Sequence, residues 1–191
     1  MNDQSMQAGQ LQENEAVRQF LQLLMENRPD KGQDYSMMLW QMDSMANQLN
    51  SALNELHDVR EQLAKMQENP VKRFVLHVAD AVEGRLHVMQ ICLAEMKERI
   101  VEGAKEAVEG FKLTGVKALD HAVSALGIKK ALESIQKGIG ESIADVKKSI
   151  EKVESLGHEL RSAGGHMKNA GRALMGKEQQ AVDGGSEGRF Q

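Results

Sequence analysis

Apart from the carboxylates, six histidines and one cysteine are the side chains best suited to ligate a metal or act as a nucleophile: His57, His77, His87, His121, His158, His166 and Cys92. A metal motif places its ligands at short recurring separations, because three or four donors must reach one ion about 2 Å away. No histidine stands at a recognised metal spacing from another His, a Cys or a carboxylate, and His77 and His87 are ten residues apart. They read as ordinary surface or interface histidines. Cys92 lies between Ile91 and Leu93 with no His or basic residue within a helical turn, the setting of a buried, inert thiol.

Phosphate chemistry fares no better. Gly138-Ile-Gly140 and Gly164-Gly165 follow no predicted strand, and no Gly-Lys-Ser/Thr triplet occurs. Acidic pairs such as Glu106 and Glu109 fall on wet helix faces. The expectation is a protein that is not an enzyme, with no catalytic, cofactor-binding or metal residues.

The elements available to position any site are helices. Aromatic residues make up 3% of the 191-residue chain and prolines number two, Pro29 and Pro70, within long stretches rich in Ala, Leu, Met, Glu, Lys and Gln. Mean hydropathy of −0.46 suits helices with broad wet faces. The fold class expected is all-α, an elongated helical hairpin or coiled-coil-like bundle with a long helix after Pro70 and a glycine-rich, partly disordered C-terminal region.

The most regular pattern runs from Tyr35 to Met66. Tyr35, Met42, Leu49, Leu56 and Leu63 take heptad position a; Met38, Met45, Ala52, Val59 and Met66 take position d. Alternating steps of three and four present one stripe to a partner helix. Glu55 and Arg60 have the spacing that pairs charges across a parallel dimer, whereas Leu53 widens the stripe as an intramolecular bundle requires. The ten residues therefore form a candidate interaction seam, facing either the chain's own helices or a second subunit.

In chain order, residues 1–13 are expected to be disordered, and 14–69 to hold a short helix plus the heptad helix. Pro29, Asp30 and Gly32 turn the chain between them, so that the helix around Phe20 can pack on Met37, Leu39 and Trp40. Asn69-Pro70 is an N-cap followed by a proline at the first helical position. Residues 70–126 then form a long amphipathic helix. Its triplets, beginning Val71-Val75-Val78 and Val82-Leu86-Met89, start eleven residues apart, and Gly103, Gly110 and Gly115 interrupt it. Residues 127–177 are broken glycine-containing helices, with Gly157, Gly164 and Gly171 recurring every seven residues, and 178–191 form a disordered tail.

Charge divides unevenly: residues 1–69 carry 5 basic and 11 acidic side chains, and residues 70–177 carry 18 and 14. The single cysteine excludes an internal disulfide and suits a cytoplasmic setting; no secretory signal or bilayer-spanning run is read. Lysines such as Lys112, Lys117, Lys129 and Lys147 beside the apolar stripe of 100–156 suggest, as the alternative to protein–protein assembly, attachment to an anionic membrane surface. No aromatics interleave these lysines, so nucleic acid is not an expected partner. The expected partner is another protein or a second copy.

Five phrases, ENEAVRQFL (13–21), MANQL (45–49), EGRLH (83–87), ALDHAVSALG (118–127) and KNAGRA (168–173), resemble a family of uncharacterised helical proteins, a domain of unknown function, associated with conjugative and mobile elements of Gram-positive anaerobic bacteria. The resemblance implies an accessory protein of a mobile element and carries over no functional residue.

Overall fold

The structure is a computed structural model that describes residues 10–154 and 161–181. Among these every regular element is helical: α1 (Gln10–Glu13), α2 (Glu15–Asn27), α3 (Pro29–Ala64), α4 (Pro70–Thr114), α5 (Val116–Ala125), α6 (Ile128–Glu154) and α7 (Arg161–Leu174). The all-α class is as the sequence predicts. Of the expected N-terminal disorder, residues 1–9 lie outside the described residues, while Gln10–Glu13 is helical.

Local chemistry sets most of the helix boundaries. The Asn14 side chain accepts from the backbone N–H of Ala16 and Val17, capping α2. Asn69 does the same for α4, accepting from Val71 at 3.0 Å and Lys72 at 2.8 Å, with Pro70 where its missing N–H costs nothing. The expected turn over 28–34 is shorter than the composition suggests. Only Arg28 lies outside a helix; Pro29 opens α3, and Asp30 and Gly32 sit in its first turns. Gly32 is needed there because a Cβ would lie 3.0 Å from the Met25 backbone nitrogen, where α2 passes. Of the three glycines expected to interrupt the post-proline helix, Gly103 and Gly110 are helical, and the break falls at Gly115, whose φ of 62° is left-handed.

The chain divides into two compact units. Unit 1 comprises 1–47 and 90–135; unit 2 comprises 48–89 and 136–191. In unit 1, Val17, Phe20 and Leu24 of α2 are fully buried together with Tyr35, Leu39 and Met42 of α3, and Phe20 meets Tyr35 edge-on at 5.2 Å between ring centroids. Leu93, Met96 and Ile100 of α4 and Leu119 of α5 complete that core. Lys31 donates to Asp120 at 2.6 Å, tying α5 to α3.

In unit 2, Leu49, Leu56 and Leu63 of α3 are buried with Val75, Val82 and Leu86 of α4, Val146 of α6, and Met167 and Leu174 of α7. Arg60 bridges from α3 to Asp80 and Glu83 of α4. At Gly171 a Cβ would stand 3.3 Å from Val146 Cγ1, so the glycine brings α7 close onto α6.

The buried residues of α4 follow a different period from the one the triplets suggest. Val75, Ala79, Val82, Leu86, Met89, Leu93, Met96 and Ile100 alternate steps of four and three; from Lys97 the buried face widens to take in Val101, and the step from Ile100 to Ala104 departs from the heptad. Ala79 takes the buried position, and Val78 is half-buried. The small Ala79 is easily passed over in a hydrophobic pattern, which is how an apparent eleven-residue repeat arises. In α6 the same steps run through Ile128, Leu132, Ile135, Ile139, Ser142, Val146 and Ser149, and the helix continues through Gly138 and Gly140.

Of the seven-residue glycine repeat, Gly157 lies outside the described residues, and Gly164 and Gly171 are buried on α7. Residues 178–181 of the expected tail have no regular structure, but Gln180 exchanges two hydrogen bonds with the Asn169 side chain, at 2.7 and 2.9 Å. The rest of that tail lies outside the described residues.

Candidate interaction surfaces and a histidine–carboxylate cluster

Eight of the ten seam residues are buried in the single chain. Tyr35, Met42 and Met45 belong to unit 1, and Leu49, Ala52, Leu56, Val59 and Leu63 to unit 2; Met38 and Met66 are half-buried. Leu39, one residue past Met38, takes the fully buried place. The two charges spaced for a dimer also have partners in their own unit, Glu55 with His166 and Arg60 with Asp80. The apolar stripe of α6 is likewise occupied, Ile128, Leu132, Ile135, Ile139 and Val146 being buried.

The apolar surface left open lies elsewhere. Trp40 is 66% exposed and Met37 67% exposed, so of the three residues expected to receive α2 only Leu39 is buried. Heptad phase explains this: Tyr35, Leu39 and Met42 define the inward stripe, and Trp40 is about 100° further round the helix from Leu39. Met25 of α2 is also partly exposed. With Gln12, Gln33 and Ser36, these three side chains line a hollow of about 500 Å³ whose walls carry no charged residue. A second hollow in unit 1, of about 650 Å³, lies between α4 and α5. Arg99, Lys117 and His121 mix there with Glu102 and Glu106 around alanines and Leu126.

Cys92 is exposed, contrary to expectation. The inward stripe of α4 passes through Met89, Leu93 and Met96, and Cys92 is turned out beside exposed Ile91. Apolar sequence neighbours therefore misplace it.

Among the histidines, His166 departs from the surface reading. Its Nδ1 lies 2.7 Å from Glu55 Oε2 and 3.8 Å from Asp58 Oδ2. Glu55 is buried, 7% exposed, on the same face of α3 as Asp58. A sequence scan could not join these residues, because His166 is 111 positions from Glu55. The only local signal was a carboxylate at Glu55 flanking the apolar seam. His158 lies outside the described residues.

The chain belongs to the family of unknown function DUF6674, which matches residues 13–191. No curated protein and no solved structure matches it. No helix among the described residues is long and apolar enough to cross a membrane.

Proposed function

We propose that this protein is a non-enzymatic helical interaction or scaffold protein that meets a second copy of itself through the Met25–Met37–Trp40 patch of unit 1. The exposure of Trp40, the only tryptophan in the chain, carries the reading. A tryptophan beside two flexible methionines is the composition of a binding hot spot, and burying the ring against a partner recovers its hydrophobic free energy. A second copy is the favoured occupant because the hollow carries no charge, so a two-fold contact of the patch with itself sets no like charges together. Burial of eight seam residues within the chain favours this patch over the seam as the contact surface. The resemblance noted in the sequence adds the cellular setting, an accessory of a mobile element.

A patch of three side chains falls short of the roughly 1,200 Å² that stable complexes bury, so the association is weak and concentration-dependent. Sedimentation of the full chain over a concentration series tests it, with Trp40 emission as an internal reporter. The expected result is a mass rising toward a dimer, an emission blue shift in parallel, and loss of both mass and shift on Met37→Ser; Trp40→Ser also abolishes the mass rise. A wild-type chain that stays monomeric at every concentration, or a dimer that survives both substitutions, overturns the proposal.

A further inference from the structure

We propose that Glu55, Asp58 and His166 form a binding site in unit 2 for a transition-metal dication of the zinc class. One donor atom from each residue lies within 4.8 Å of the other two. Ligands about 2.1 Å from a tetrahedral ion sit about 3.4 Å from one another. The separations from His166 Nδ1, 2.7 Å to Glu55 and 3.8 Å to Asp58, fall on either side of that value. Opening the His166–Glu55 separation and closing the His166–Asp58 one, each by less than about 1 Å, would bring these donors to the spacing of a common ion.

A simple hydrogen bond accounts for less of this arrangement. Nδ1 can make one such bond, and Glu55 takes it; at 3.8 Å Asp58 is beyond hydrogen-bond reach of the same atom. The second carboxylate nevertheless stands beside the first, facing the same nitrogen. A dication shared by all three would use both carboxylates and the imidazole at once. The donor set selects the ion class. One imidazole nitrogen with two carboxylate oxygens suits Zn²⁺ and its neighbours Co²⁺ and Mn²⁺, whereas Ca²⁺ and Mg²⁺ favour all-oxygen shells. The Asp58 side chain is 47% exposed, which leaves a solvent path for the ion and room for a water as fourth ligand. The ion would link α3 to α7, which are distant in sequence.

The test is titration of the metal-stripped full chain with Co²⁺, read by visible absorption, followed by competition with Zn²⁺. Asp58→Ala is the informative variant, because it leaves the His166–Glu55 hydrogen bond and the core untouched; His166→Asn is its companion, with circular dichroism checking the fold of both. The expected result is one saturable equivalent with a four-coordinate cobalt spectrum, displaced by Zn²⁺. Each variant should bind more weakly by at least the roughly 10–100-fold that follows loss of an outer-shell partner. Absence of saturable binding, or one equivalent retained at unchanged affinity in both variants through other histidines, overturns the proposal.

Discussion

Lys97 of α4 and Asp43 of α3 form an ion pair inside unit 1, Nζ to Oδ1 at 2.9 Å, with side chains only 5% and 13% exposed. Both charges have left water, and neither is tolerable there alone. Removing one partner strands the other, which typically costs about 3–5 kcal/mol, whereas an apolar pair of similar volume is often neutral or better. Asp43→Ala is therefore expected to lower stability by that amount in urea unfolding. Asp43→Leu combined with Lys97→Met is expected to recover most of it. A double variant as weak as the single one would show that the pair itself, and not the stranded lysine, holds the helices.

Leu49 and Leu56 separate a core role from an interface role for the seam. Both are fully buried in unit 2. Leu56→Ala is expected to cost about 2–5 kcal/mol by leaving a cavity. Aspartate at either position is expected to unfold the unit, with loss of the helical circular dichroism signal. A folded monomer carrying Leu49→Asp and Leu56→Asp would return the seam to the role of an intermolecular contact.

Tyr35 is fully buried, and its hydroxyl has no hydrogen-bond partner among the described residues. Burial also pushes its ionisation well above the ordinary tyrosine value. Tyr35→Phe removes an unmet polar group and is expected to be neutral or to stabilise by about 1–3 kcal/mol. The same burial sets a pH limit. Folding holds the phenol neutral, so this contribution is complete below the unfolded value of about 10 and is lost as pH rises beyond it. Tyr35 is the only tyrosine, so phenolate absorbance follows it alone, and it should ionise only as the protein unfolds.

Asp120 anchors α5. A hydrogen bond from Lys31, then one from Arg28, holds its carboxyl below the usual carboxylate range. Because folding favours the charged form, the stabilisation is present above the unfolded value and disappears as pH falls through the lowered folded one. Asp120→Asn is expected to speed amide exchange over 116–125 at neutral pH and leave α3 unaffected. Unchanged exchange would mean that Leu119, the one buried α5 residue, suffices as the anchor.

Much of this fold was legible because it rests on local rules. Asn69-Pro70 carries its own capping chemistry, and the step between heptad leucines is a property of one helix. Other features depend on phase and partner. Ala79 and Val78 differ by one position, and neighbouring sequence does not say which points inward. Cys92 looked buried because its neighbours are apolar, yet burial follows helical angle and not adjacency. Tyr35 and Met42 announced an apolar stripe, but whether it faced the same chain was open until Phe20 and the α4 residues were placed in unit 1 with it. Glu55, Asp58 and His166 were invisible as a group, since only the packing of α7 on α3 brings their donors together.

The close passage at Gly171 makes two positions share one volume. A methyl group there meets Val146 at 3.3 Å, a gap that Val146 must yield by a few tenths of an ångström. Growth at one position thus calls for shrinkage at the other: Gly171→Ala is tolerable when Val146 is trimmed to Ala, and larger residues at 171 would pry α7 from α6. That pair acts as a spacer gauge, fixing how near the last helix can lie.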